Sequence, residues 1–191
     1  MHDEMHFTLK SLREQVYDYL RVQMNEGRVK SGAFLNLNEI SKELGMSRTP
    51  LRDALFQLEA EGFVTIYPRR GVVVNSLSLE NIRDIYEILG GLESEVIVCV
   101  ALKFRDSDAD VMEQCNVRMR KALDQNNFTV FYDENLKFHN TYLDMSDNNE
   151  ILHYIKIHKE RLYDFPRNKV FVKEWEMHSL DEHTALIDLF R

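Results

Sequence analysis

Along most of the chain, hydrophobic residues recur every three or four positions, which is the spacing of the buried face of an α-helix. The first such segment runs from about residue 9 to residue 25 and is followed by Gly27, a residue type that often ends a helix. Its inward positions are predicted to be Leu12, Val16, Tyr19, Leu20 and Met24. One short segment, residues 63–75, alternates hydrophobic and polar positions in the manner of β-strands. The pattern predicts a mainly α-helical protein with one small sheet.

Two short helices are predicted between the first helix and the alternating segment. The first of them can begin at a cap on Asn38 and end at Gly45 in a left-handed turn. The second begins at Ser47 and tolerates Pro50 in its first turn, where backbone N–H groups have no partner inside the helix. Its inward residues are Leu51, Leu55 and Leu58. Two short helices joined by a tight glycine turn form a helix-turn-helix.

The alternating segment predicts a β-hairpin directly after these helices. Its strands cover residues 63–67 and 71–75, and the turn between them begins at Pro68. The tip of the hairpin has Arg69, Arg70 and Gly71, and such a tip can approach a narrow minor groove of DNA. The N-terminal part is therefore predicted to be a winged helix-turn-helix of three helices and a two-stranded wing.

Beyond residue 76 only helical patterns occur, and five helices are expected. They cover about residues 78–103, 107–125, 127–146, 148–165 and 172–191. The inward positions predicted for the first two are Ile82, Ile85, Leu89, Leu92, Val96, Val100, Val111, Cys115 and Met119. Short polar connectors favour an all-α antiparallel bundle. The last helix stops while residues 186–190 still present hydrophobic side chains, so we expect a bundle that lacks its final helix, with an exposed groove or a neighbouring chain there.

The charge of the chain is divided unevenly. The 191 residues have a formal net charge of −8, but residues 1–76 contain ten basic and ten acidic residues, so the whole acidic excess lies in the remainder. This shift predicts two domains with different partners, residues 1–76 and residues 77–191. The two cysteines, Cys99 and Cys115, cannot form a disulfide framework, which favours a cytoplasmic location. The longest hydrophobic run, residues 96–102, is too short to span a membrane.

Arg48 and Arg52 lie at the N-terminal end of the predicted third helix, where the helix dipole favours acidic residues instead. A solvated charged face on a small domain would explain the pair without any function. At the start of a helix that enters the major groove, however, arginine can read guanine or bind phosphate. The order of the elements therefore favours DNA binding by Arg48, Thr49 and Arg52, assisted by the arginines of the wing.

The segment "SRTPLRDAL…LEAEGFV…RRG" is similar to the winged helix-turn-helix of the GntR family of bacterial transcription regulators, over about residues 8–75. The resemblance implies DNA contacts by Arg48, Thr49 and Arg52 in the recognition helix and by Gly71 in the wing. Some members also contact DNA through an arginine at the start of the preceding helix, where this chain has Asn38. This departure implies weaker binding or recognition of a different base step.

Candidate ligand chemistry in the second domain involves histidine. Asn135 and His139 lie four residues apart, so both can point to one spot in the bundle core. His183 lies within the last hydrophobic helix, where a lone histidine is usually a hydrogen-bonded core residue. The residues alone do not identify a metal site.

The order of "NLKFH" and "EHTALI" resembles the FCD effector domain of the FadR branch of the same family. Many FCD domains hold a divalent metal with one aspartate and three histidines and bind a small carboxylate beside it. The resemblance implies zinc or nickel bound by His139 and His183, with Asn135 in place of the aspartate. Because an amide brings no charge, the affinity should be lower. An arginine common near the ligand is replaced by Leu89, and the third histidine would lie beyond Arg191.

We therefore expect a cytoplasmic, ligand-responsive transcription regulator without catalytic activity. Its expected partners are a palindromic double-stranded DNA operator, a small carboxylate effector and a second copy of the chain. Two alternatives remain at this point, a helical metal-bundle enzyme with an accessory DNA-binding domain and an architectural DNA binder without a ligand. Di-iron bundles need two Glu-x-x-His motifs, and we find one, from Glu150 to His153.

Overall fold

The structure, a computed structural model, describes residues 10–163 and 173–191. In this part of the chain it has eight α-helices and one two-stranded antiparallel sheet, which confirms the predicted fold class. The chain divides into two compact units, Met1–Leu79 with Glu160–Pro166 and Glu80–Lys159 with Arg167–Arg191. No helix in the described ranges is both long enough and hydrophobic enough to cross a membrane.

The first unit contains three helices and the sheet. Their bounds are α1 Leu12–Asn25, α2 Leu37–Leu44, α3 Arg48–Ala60, β1 Val64–Tyr67 and β2 Gly71–Val74. The strands pair from Val64 opposite Val74 to Tyr67 opposite Gly71. Phe34, in the segment between α1 and α2, adds an isolated antiparallel bridge to Val73. This arrangement is the winged helix-turn-helix that the sequence predicted.

One hydrophobic core joins α1, α3 and the sheet. The core side chains from the helices include Val16, Leu20, Met24, Leu51, Ala54, Leu55 and Leu58, and those from the hairpin include Phe63, Val64, Val72 and Val74. Because α3 buries one face in this core, its opposite face and its N-terminal end remain in solvent.

The caps of α2 and α3 differ in detail from the prediction. Asn36, and not Asn38, caps α2, because its Oδ1 accepts the backbone N–H groups of Asn38 and Glu39 at 3.2 and 3.3 Å. Gly45 ends α2 in the left-handed region with φ of 61°, as expected. Ser47 occupies the N-cap position of α3, but its side chain makes no capping hydrogen bond.

The second unit is entirely helical in its described part. Its helices are α4 Leu79–Val100, α5 Asp106–Asp124, α6 Phe128–Leu143, α7 Asn149–Tyr163 and α8 Lys173–Phe190, with a turn of 3₁₀-helix, Ala101–Lys103, after α4. The first residue of α4 and the last turn of α7, from Glu160 on, are assigned to the first unit. α5 packs against both α6 and α8. The five predicted helices are confirmed to within a few residues at their described ends.

Three inward positions in this unit were predicted wrongly. Val111 is exposed, and its neighbour Met112 is fully buried, since the inward face of α5 follows mixed steps of three and four residues through Cys115 and Met119. On α4, the buried stripe includes the carboxylate of Glu93. Leu92 and Ile82, which the hydrophobic pattern predicts in this stripe, are only half-buried.

Candidate DNA-binding surface and effector centre

The exposed face of α3 and the wing enclose one groove of about 1020 Å³. All six residues predicted to contact DNA line it, namely Arg48, Thr49, Arg52, Arg69, Arg70 and Gly71. The described residues around the groove include four arginines and no carboxylate. A groove with this charge is complementary to the phosphate backbone of a nucleic acid.

Arg48 is held in place by a neighbouring helix. Its Nη2 donates to Oδ1 of Asn38 on α2 at 2.7 Å. Asn38 is the position at which some family members have an arginine, so the expected cation is replaced by an acceptor that orients Arg48. This role of Asn38 was not foreseen, because it depends on the angle at which α2 packs against α3.

The tip of the wing depends on backbone conformations with positive φ. Arg69 has φ of 62° and Gly71 has φ of 117°, and the turn is closed by the N–H of Arg70, which donates to the carbonyl oxygen of Tyr67 at 3.0 Å. A Cβ atom at position 71 would lie 3.4 Å from Cδ1 of Phe34. Glycine is therefore favoured at this position by its φ, whereas a Cβ atom would make only an ordinary van der Waals contact with Phe34.

In the second unit, a buried carboxylate joins three helices. Glu93 on α4 accepts a hydrogen bond from the Tyr142 hydroxyl and lies 2.7 Å from Nδ1 of His139, both on α6. Its other oxygen, Oε1, lies 2.8 Å from Nζ of Lys159 on α7, at ion-pair distance but outside good hydrogen-bond geometry. Nδ1 of His139 also lies 2.6 Å from the Tyr142 hydroxyl. We call these four residues, Glu93, His139, Tyr142 and Lys159, the polar centre.

Burial and charge shift the pKa values in the polar centre. Burial alone would raise the pKa of Glu93, but the hydrogen bond with His139 and the ion pair with Lys159 hold that pKa well below its usual range. Burial lowers the pKa of His139 and of Lys159, against the opposite effect of Glu93. The carboxylate is therefore ionised at neutral pH and the imidazole of His139 is neutral.

His183 on α8 lies beside the polar centre. Its ring centroid is 5.3 Å from that of His139, and Phe138 stacks on it at 4.0 Å. The side chain is buried, and its Nδ1 has no hydrogen-bond partner among the described residues. Burial lowers the pKa of His183 to about 3. An unpaired buried nitrogen costs free energy unless a ligand or water satisfies it, which makes this atom the best indication of a bound group.

The three predicted metal ligands are only partly brought together. His139 and His183 are neighbours, and Asn135 is buried one helical turn before His139 on α6. The described residues contain no group of three or more His, Cys, Asp or Glu that could hold a metal ion. Two imidazoles and an amide fit a weakly bound metal that prefers nitrogen, and the contact from Glu93 orients His139 in the way that carboxylates orient metal-binding histidines.

Acidification is expected to destabilise the metal-free protein through His183. Its pKa is about 3 when folded and returns to 6.5 on unfolding, so between these values only the unfolded chain binds the proton. As the pH falls from 6.5 towards 3, the free energy of unfolding should therefore decrease by about 1.4 kcal/mol for each pH unit. Urea unfolding in EDTA measures this slope, which should be shallower by about one proton in His183→Phe, a variant that keeps the stacking on Phe138. Equal slopes would mean that His183 is not buried in its neutral form.

Comparison with known families agrees with this architecture. Residues 12–74 match the model of the bacterial regulatory proteins of the gntR family, and residues 84–191 match that of the FCD domain. Among similar proteins, the uncharacterised HTH-type transcriptional regulator YdhC of Bacillus subtilis (strain 168) is 27% identical over 154 residues, 75% of this chain and 69% of that protein. The HTH-type transcriptional repressor RspR of Escherichia coli (strain K12) is 26% identical over 136 residues, 71% of this chain and 60% of that protein.

A solved structure, that of E. coli McbR/YncC, has the same fold. The alignment of the two structures covers 95% of this chain and 87% of the McbR/YncC chain, with a TM-score of 0.67 and 19% sequence identity. The matched families consist of transcription regulators and not of enzymes, so the alternative of a metal-bundle enzyme is set aside. The chain belongs to the GntR family of bacterial transcription regulators, with a DNA-binding helix-turn-helix domain followed by an FCD effector-binding domain.

Proposed function

We propose that this regulator binds a palindromic operator as a homodimer and that a small carboxylate, bound at the polar centre, controls that binding. The observation that best supports the DNA-binding part is the single groove lined by four arginines and no carboxylate among its described residues. The unpaired Nδ1 of the buried His183, whose ring lies 5.3 Å from that of His139, supports the ligand-binding part. Such a regulator acts at the chromosome, and we therefore propose a cytoplasmic location.

On DNA, α3 is proposed to enter the major groove with its N-terminal end. Arg48 and Arg52 then reach base edges or phosphates, and the hydroxyl of Thr49 reaches a phosphate or a base. Two copies related by a two-fold axis would read two half-sites about 34–36 Å apart, which makes the operator palindromic. Effector binding would act by changing the spacing of the two recognition helices.

The wing is expected to contribute through groove width. Arg69→Ala and Arg70→Ala should weaken binding about tenfold where an A·T tract narrows the minor groove beside the half-site, and less where a G·C tract replaces it. Fluorescence anisotropy with the two duplexes measures the difference. Arg28→Ala is the matched control, because Arg28 is an exposed arginine of the same unit that is not among the groove residues. Equal losses on both duplexes would indicate simple phosphate contacts.

A carboxylate fits the donors of the polar centre. The ammonium group of Lys159 has three N–H bonds, and Glu93 contacts it through one carboxylate oxygen, so N–H bonds remain for a ligand. A neutral His183 can donate one further N–H. A carboxylate that accepts from both would satisfy the unpaired nitrogen of His183.

A divalent metal, zinc or nickel, is the second occupant that we propose for this centre. His139 and His183 would supply imidazole nitrogens and Asn135 an amide oxygen, and the metal would supply a positive charge that anchors a carboxylate. Because all three ligands are neutral, binding should be weak enough for EDTA to remove the metal.

Thermal unfolding of the full chain tests both occupants. The protein is treated with EDTA and heated with a panel of small mono- and dicarboxylates, with and without added zinc. A carboxylate at one hundred times its Kd should stabilise the folded state by about 2.7 kcal/mol. His183→Ala should abolish this gain for either occupant, and His139→Ala should abolish the part that depends on zinc. His178→Ala, which removes an exposed histidine of α8, is the control.

Each result separates the proposals. Stabilisation without zinc supports a carboxylate alone, and stabilisation only with zinc, together with zinc retained after dialysis, supports the metal. Unchanged metal content in His139→Ala would mean that His139 is a packed core residue and not a metal ligand. A ligand response that is also unchanged in His183→Ala would make the ligand-binding proposal wrong, while DNA binding could still hold.

A further inference from the structure

Phe56 is an exposed aromatic residue on the recognition helix. Its relative exposure is 52%, whereas Leu51, Leu55 and Leu58 on the same helix are at most 2% exposed. Phe56 lies seven residues after Thr49 and four after Arg52, so the three side chains share one face of α3. It also lines the groove that holds the candidate DNA contacts. The ring therefore presents a large apolar surface to water beside the candidate DNA contacts.

The surroundings of Phe56 identify the kind of partner it fits. The guanidinium carbon of Arg52 lies 6.0 Å from the centroid of the Phe56 ring. An apolar side chain among arginines needs a partner that is anionic as a whole but has an apolar group at its surface. In the major groove of DNA, the C5-methyl group of thymine is that group.

The spacing along α3 is suitable for reading two positions. Four residues of an α-helix span about 6 Å, which is close to two base-pair steps of about 3.4 Å each. If Arg52 contacts one base pair, Phe56 reaches a base pair farther along the half-site. The two side chains can thus read different letters of the same half-site.

We infer that Phe56 is a specificity-determining residue that recognises thymine in each half-site through its C5-methyl group. This inference rests on the proposed entry of α3 into the major groove. Phe56 would add an apolar contact to the hydrogen bonds of the arginines. The preference for thymine at that base pair would then not depend on hydrogen bonding.

The test removes only the methyl group from the DNA. The full chain selects its preferred sequence from a duplex library with a randomised centre, and the selected duplex is then synthesised with deoxyuridine in place of each thymine in turn. At one symmetry-related pair of thymines, the wild-type Kd should rise about fourfold per half-site, the value for one buried methyl group. Phe56→Ala should bind the thymine duplex more weakly than the wild type does. It should bind the deoxyuridine duplex as tightly as it binds the thymine duplex.

Controls distinguish this inference from the proposed function on which it rests. Val22→Ala removes an exposed hydrophobic residue of α1 outside the groove and should leave both affinities unchanged. Phe56→Leu keeps an apolar side chain and should retain part of the methyl effect, and its melting curve shows whether α3 is intact. A wild-type protein indifferent to deoxyuridine at every position, or an undiminished methyl effect in Phe56→Ala, overturns the inference. If no duplex is selected at all, the proposed docking of α3 fails as well.

Discussion

Replacing Arg52 by alanine is expected to weaken operator binding by about 1–3 kcal/mol for each half-site, which is roughly 5-fold to 150-fold. A homodimer loses this contact twice, so the effect on the whole operator should be among the largest of any single substitution in the first unit. The physical reason is that a bidentate contact to guanine disappears in a desolvated groove. Electrophoretic mobility shift or anisotropy with the selected duplex measures the loss.

Arg52→Lys separates base reading from phosphate binding. Lysine keeps the positive charge but cannot form the planar pair of hydrogen bonds to guanine, so it should bind random DNA nearly as well as the wild type and lose its preference for the operator. If Arg52 contacts phosphate instead, Arg52→Ala should weaken all duplexes alike and reduce the salt dependence by about one ion per half-site, or about two for the whole operator. Operator binding that withstands both Arg52→Ala and Arg48→Ala would contradict the assigned DNA surface.

The winged helix-turn-helix could be predicted from the sequence because its determinants are local. Gly45, the arginines of α3 and the Pro-Arg-Arg-Gly turn act over a few residues, so their order already defines the helix-turn-helix and the wing. The errors were local as well. Asn36 and Asn38 are both of a residue type that caps helices, and the structure begins α2 at Leu37, directly after Asn36.

The polar centre could not be predicted in the same way. Glu93, Tyr142 and Lys159 come from three helices, and the first and last of them are 66 residues apart along the chain. In a pattern analysis, Glu93 interrupts a hydrophobic stripe and is assigned to the surface, whereas the structure buries it because a cation and two donors meet it there. The resemblance to FCD domains pointed to His139 and His183, and nothing in the sequence indicated the charges beside them.

Replacing Glu93 by glutamine is expected to lower the free energy of unfolding at neutral pH by about 3–5 kcal/mol. The variant leaves Lys159 buried without its counter-charge, and it weakens the contacts that His139 and Tyr142 make with the carboxylate. Urea unfolding followed by circular dichroism, in EDTA so that no metal contributes, measures the loss.

A double substitution and the pH dependence test the same explanation. Glu93→Leu combined with Lys159→Met removes both charges and should recover much of the stability, because two well-packed apolar side chains replace a costly buried pair. Since the folded pKa of Glu93 is depressed, its contribution is complete above its ordinary value of 4.5 and disappears as the pH falls further, so wild type and Glu93→Gln should converge in acid. A Glu93→Gln protein that is as stable as the wild type at neutral pH would show that the carboxylate is solvated and that Lys159 has another counter-charge. The polar centre would then no longer offer a buried cation to a carboxylate effector.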